Sequence, residues 1–153
     1  MKKLIAFVLA AAMMLSLVAC GGKADSKSVD LNALYESYAE YMPDMFQLDE
    51  DTMMNFLGID VADCTQYTVY ICGDGLRADE VWLIEAKDEA ALGRLKEMAE
   101  SRIQAKENET ISYVPDQYVI VEKAEILTNG LYLALLISPD VDQLKAGFEA
   151  AMQ

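Results

Sequence analysis

Four charged side chains crowd one stretch broken by Gly73 and Gly75: Asp74, Arg77, Asp79 and Glu80. A carboxylate there could serve as a general base, with Arg77 holding an anionic group. The same carboxylates, or the triplet Asp49-Glu50-Asp51, offer the hard oxygen ligands that calcium takes, and weak sites suffice at extracellular calcium levels. Neither group has the regular spacing of a calcium loop, and the triplet also suits the positive end of a helix. Met42, Met45, Met53 and Met54, with Cys64 nearby, are soft ligands of the kind that hold Cu(I). Methionines grouped in this way also serve as adaptable core filling. Tyr35, Tyr38 and Tyr41 could stack on a sugar, and the helical spacing turns Tyr41 outward while Tyr35 and Tyr38 face a core with their hydroxyls at its rim. The plain alternative for the acidic turn is a solvated loop that keeps a hairpin soluble.

The composition narrows these options. The 153 residues contain no His, which removes the commonest general base and metal ligand, and no nucleophile or phosphate-loop motif is present. With 26 Asp and Glu against 12 Lys and Arg, the net charge of −14 argues against a nucleic-acid partner, which needs basic surface to neutralise phosphates. Such a surface suits a basic peptide or protein patch. An apolar content of 54% excludes an acidic disordered tail. The chain is therefore expected to be non-catalytic and to need no cofactor or metal.

One further residue carries covalent chemistry. Lys2 and Lys3 precede an apolar run from Leu4 to Leu17, too short to span a bilayer comfortably and of the right length for a signal-peptide core. It ends in Leu17-Val18-Ala19-Cys20, which resembles the lipobox of bacterial lipoproteins, where cleavage before Cys and a thioether to diacylglycerol follow. This divides the chain into a signal peptide (1–19), a lipidated Cys20 with a flexible tether (20–29) and one domain (30–153). Loss of Lys2 and Lys3 with the leader takes the charge from −14 to −16. Stable anchoring takes more than one acyl chain, which a diacylglyceryl group provides. The expected location is the extracytoplasmic face of the cell membrane. Cys64 and Cys72 are expected to be buried free thiols, because Cys72 ends a probable strand and eight residues of extended chain between them exceed disulfide reach; a bridge requires the chain to turn between them.

The elements that must position these residues are legible from periodicity and punctuation. Leu31, Leu34, Tyr35, Tyr38 and Met42 form one stripe of a helix opened by Asp30 and closed by Pro43. Asp49 caps a second helix that Gly58 ends, with Leu48 and Met53 as a hydrophobic staple and Ile59 folding back on Met54. Strands follow at Gln66–Cys72 and Val81–Ala86, then a helix from Asp88 to about Glu107, with Arg94/Glu97 and Lys96/Glu100 as solvent pairs. Pro115 starts a short helix, with strand as the alternative for Tyr118–Val121. Asn129-Gly130 joins Ala124–Thr128 to Leu131–Ile137 as a type I′ hairpin, and Ser138-Pro139 opens the last helix. Leu131–Ile137 has no polar face and should be central and covered on both sides. The reading is an α+β fold: a four-stranded, largely antiparallel sheet of two ββα units with two N-terminal helices.

Leu57-Gly-Ile-Asp60, Arg77–Lys87, the helix ending near Arg102, Tyr113–Tyr118, and Gly130-Leu-Tyr-Leu before Ser138-Pro-Asp, together with the lipobox, resemble a family of small lipoproteins of unknown function from Gram-positive bacteria. The resemblance covers most of the mature chain. It implies an outer-face lipoprotein and transfers no catalytic residues. The expected function is a membrane-tethered envelope module that binds a protein, peptide or wall component, with Asp74, Arg77, Asp79, Glu80 and Tyr41 as candidate contacts. The alternative is a small-ligand or cation-binding lipoprotein that uses the acidic loop.

Overall fold

The computed structural model describes residues 28–153; the expected signal peptide, the expected lipidation at Cys20 and all but the last two residues of the expected tether lie outside them. Helix α1 (Leu31–Glu36) is capped by Asp30, whose Oδ1 accepts from the backbone N–H of Asn32 and Ala33 at 3.0 Å. It stops sooner than its apolar stripe predicts. Ser37 Oγ donates to the Leu34 carbonyl at 2.6 Å, and the chain tightens to a 3-10 turn at Ala39–Tyr41. A Ser hydroxyl that back-bonds to the helix competes with the regular ladder. Strand β1 (Met45–Gln47) follows, then α2 (Glu50–Thr52), which continues as a π-helical turn over Met53–Leu57. Gly58 closes this turn at φ +75°, a left-handed conformation that costs glycine nothing. The Ile59 N–H reaches the Met53 carbonyl at 3.1 Å, and Ile59 is buried with Met53, not with the half-exposed Met54.

A 3-10 turn (Val61–Asp63) leads into β2 (Cys64–Cys72), β3 (Glu80–Ala86), the long helix α3 (Glu89–Tyr113), α4 (Pro115–Val121), β4 (Glu125–Asn129), β5 (Tyr132–Ile137) and α5 (Val141–Ala151). Among the described residues the fold is α+β with five strands rather than four, in the order β1-β2-β3-β5-β4, every neighbouring pair antiparallel. The additional strand is β1, three residues without an alternating pattern, whose only sheet partner is the end of β2. The last hairpin also differs in detail. Its loop is Gly130-Leu131, and the positive φ falls on Gly130 alone, which matches a II′ rather than an I′ turn. Ser138 Oγ accepts from the Asp140 N–H, so it shapes the turn ahead of α5 and the helix itself begins at Val141.

The sheet separates two cores. Trp82, Ile84, Leu133, Leu135 and Ile137 face α2, α3 and α4; Val81, Leu83, Ala134 and Leu136 face α1 and α5. Strand β5 is buried throughout and lies between β3 and β4, as its unbroken apolar run requires. Of the two N-terminal helices only α1 covers the second face; α2 joins α3 on the first. Tyr38 departs from expectation, because its hydroxyl is buried without a partner among the described residues instead of reaching the rim.

Candidate functional site

Helix α3 positions the candidate site, and it does so with charge. Its buried face begins as Ala91, Leu95 and Ala99, then continues as Arg102, Lys106 and Thr110 on the same side. An apolar stripe that turns cationic needs a carboxylate opposite it, and the first residue of β3 supplies one. Glu80 is fully buried. Its Oε1 accepts from Arg102 Nε at 3.0 Å and from Trp82 Nε1 at 2.7 Å, and its Oε2 accepts from Arg102 Nη2 at 2.8 Å with Lys106 Nζ at 3.3 Å. Lys106 also donates to the Ala78 carbonyl at 3.1 Å, while Gln117 Oε1 from α4 accepts from the Ala78 N–H at 2.8 Å. These bonds lay the second half of α3 and the start of α4 against the β2–β3 loop. They account for α3 running to Tyr113, beyond the expected end near Glu107, through a segment of poor helix formers.

The loop completes the arrangement. Asp74 Oδ1 accepts from the Leu76 N–H and the Asp74 carbonyl from the Arg77 N–H, both at 2.9 Å, which folds residues 74–77 into a turn. Arg77 grips the fully buried Asp79 in a fork, Nε to Oδ2 at 2.9 Å and Nη2 to Oδ1 at 3.1 Å, and this hydrogen bonding raises the pKa of the guanidinium. Of the four, Arg77 and Asp79 pair, Asp74 shapes the loop, and Glu80 is held separately by Arg102, Lys106 and Trp82. Their roles differ from those of a solvated acidic loop: Asp79 and Glu80 face inward and are neutralised by cations, and only Asp74 of the three acids is exposed. Tyr41 lies elsewhere, half-buried against the α1–α5 core, so it does not belong to this group.

Between loop and helix lies a cleft of about 420 Å³ lined by Phe56, Ile71, Cys72, Leu76, Arg77, Arg102, Lys106, Glu109 and Tyr113, with Asp74 among the loop residues. Three large apolar side chains stand at it in solvent: Phe56 is 54% exposed, Leu76 69% and Tyr113 85%. The Phe56 ring covers the Arg102 guanidinium at 4.6 Å, a cation–π contact. Phe56 and Arg102 also line a second groove of about 490 Å³ that runs along α3 past Arg94, Glu97, Met98 and Ser101. Periodicity and motif spacing do not mark Phe56. The available signal was a large aromatic residue beside, rather than within, the buried set Met53, Leu57 and Ile59.

Other sequence expectations resolve simply. Cys64 and Cys72 are free and half-buried, and burial pushes the Cys64 thiol up to about 11. Arg94 does not pair with Glu97. It forks onto Asp63, with Nε to Oδ2 at 2.8 Å and Nη2 to Oδ1 at 2.7 Å, and Lys87 joins at 2.8 Å. Met42 and Met53 sit on opposite sides of the sheet, so the methionines do not converge. Among the described residues no three His, Cys, Asp or Glu side chains gather as a metal ligand set, and no helix is long and apolar enough to cross a membrane.

Residues 34–138 match a family described as a domain of unknown function, DUF4358. The chain belongs to the DUF4358 family. The matched span runs from within α1 to just past the end of β5, so the five described strands, the ion-pair cluster and the cleft of this chain lie inside it. No curated protein matches the chain, and no solved structure does.

Proposed function

We propose that this DUF4358 protein is an extracytoplasmic lipoprotein, anchored through a diacylglyceryl group on Cys20, and that its domain is a non-catalytic binding module of the cell envelope. The binding surface is the cleft between the β2–β3 loop and α3. The observation that carries this reading is the gathering of Phe56, Leu76 and Tyr113, all exposed, around one cleft. Exposed apolar groups clustered within a polar rim are a mark of interaction surfaces. The cleft's volume falls within the range of ligand sites, and its walls are joined by ion pairs to the buried carboxylates of Asp79 and Glu80. Asp79 and Glu80 commit their oxygens to Arg77, Arg102 and Lys106, an arrangement suited to holding a scaffold.

The anchor rests on the n-region, the apolar core and Leu17-Val-Ala-Cys20, and on the resemblance of these to Gram-positive lipoproteins. Mass spectrometry of the protein from its native membrane tests it. The expected N-terminal peptide begins at Cys20 and carries a diacylglyceryl mass, and Cys20→Ser abolishes both the mass and the membrane association. A peptide running unmodified through position 20 contradicts the anchor.

A further inference from the structure

The geometry points to a partner of defined chemistry at this surface: a polypeptide segment that presents a large apolar side chain flanked by Lys or Arg, with Phe56 as its central contact. This rests on the binding-module reading and names what the module binds.

Three depressions meet at Phe56. Besides the cleft and the α3 groove, a third of about 280 Å³ is bounded by Asp49, Asp51, Thr52 and Asn55. Phe56 therefore stands on a ridge, on a π-helical turn, with more than half its surface free even while its ring covers Arg102. Such turns present side chains at angles an α-helix does not reach, and they recur at functional sites.

The charges around this ridge divide cleanly. Its cations are all committed to acids: Arg77 to Asp79, Arg94 to Asp63, and Arg102 and Lys106 to Glu80. The exposed acids on the same lining, Asp49, Asp51, Asp74, Glu97 and Glu109, have no ion-pair partner among the described residues. The free charge facing a ligand is thus negative throughout, on a chain already at −14. An anionic ligand meets repulsion at every edge. A neutral apolar ligand gains nothing from the five carboxylates. A cationic segment satisfies both requirements, its apolar side chain covering Phe56, Leu76 and Tyr113 while its Lys or Arg groups reach the rim acids.

The test selects from a random 12-residue peptide display library against the intact lipidated protein in detergent. The expected winners carry an aromatic or large aliphatic residue with Lys or Arg on both sides. Their affinity falls about thirtyfold with Phe56→Ala, and about tenfold with Glu97→Gln combined with Glu109→Gln or when salt rises from about 0.05 to about 0.5 M. Unchanged thermal unfolding of these surface variants confirms that the loss is not a loss of fold. Winners that need Phe56 but are neutral or acidic overturn the partner chemistry and leave the site standing. Winners indifferent to Phe56→Ala and Leu76→Ala, or no enrichment at all, overturn the site as well.

Discussion

Helix α3 is fastened by two ion-pair clusters of nearly the same chemistry in opposite surroundings. Near its start, Arg94 and Lys87 hold Asp63, whose side chain is 12% exposed while those of its partners are 48% and 43% exposed. Past its middle, Arg102 and Lys106 hold Glu80, with side chains 10% exposed on the cations and none of the carboxylate in solvent. In the first cluster water screens both cations, so the carboxylate gains order without being isolated. In the second the charges depend on one another, because removing one leaves the others buried and uncompensated. Only the second cluster builds the cleft, since it ties the helix to the loop that carries Leu76 and Arg77.

The comparison breaks most visibly at Glu80. Glu80→Gln keeps the shape but strands Arg102 and Lys106, and chemical denaturation of the full chain should show a loss of about 3–5 kcal/mol, together with greater proteolytic access to the β2–β3 loop. A loss no larger than that of Asp63→Asn would mean that burial does not separate the two clusters.

Asp63 gives the intermediate case, and pH is its measure. Hydrogen bonds from Arg94 and Lys87 hold its carboxyl well below the usual carboxylate range. A depressed carboxylate stabilises the fold above its unfolded pKa of about 4, and this contribution is lost as the pH falls from there through the folded value. Asp63→Asn should therefore lower thermal stability by a constant margin near neutrality, with the margin shrinking below about pH 4. It should also shrink with added salt. A margin independent of both would show that the pair acts through shape alone.

The smallest effect belongs to Lys96 and Glu100, which meet at 4.0 Å on the open side of α3 with both side chains more than half exposed. Glu100→Gln should change stability by less than about 0.5 kcal/mol. A larger loss would place that side of the helix in an unrecognised contact.

Much of this arrangement is legible in the sequence, and the failures share a cause. Local chemistry marked Asp30, Asp49, Asp88 and Gly58 as caps, and each acts as one in the structure. The apolar run Leu131–Ile137 located the central strand because full burial leaves a compositional trace. Strand β1 left none, since Met45–Gln47 becomes a strand only through a neighbour more than twenty residues away. Arg102 and Lys106 were equally opaque: charged residues at helical spacing look like a solvated face until a carboxylate is known to lie across from them. Asp79 pairs with Arg77 of its own loop, whereas the inward direction of Glu80 follows from partners on α3 that the loop's own residues do not reveal. The Asn129-Gly130 hairpin was placed correctly and its turn type was not, because the strand register shifted the loop by one residue onto Gly130-Leu131.

The central claim is that the domain meets its partner at the surface around Phe56. A photo-crosslinking residue at position 76 on the cleft, compared with one at position 149 on the exposed side of α5, tests it in living cells. Adducts are expected from position 76 but not from 149, with the attached partner peptide carrying a large apolar residue beside Lys or Arg, and those adducts are lost on Phe56→Ala. Equal adducts from both positions, or adducts from 149 alone, would contradict it.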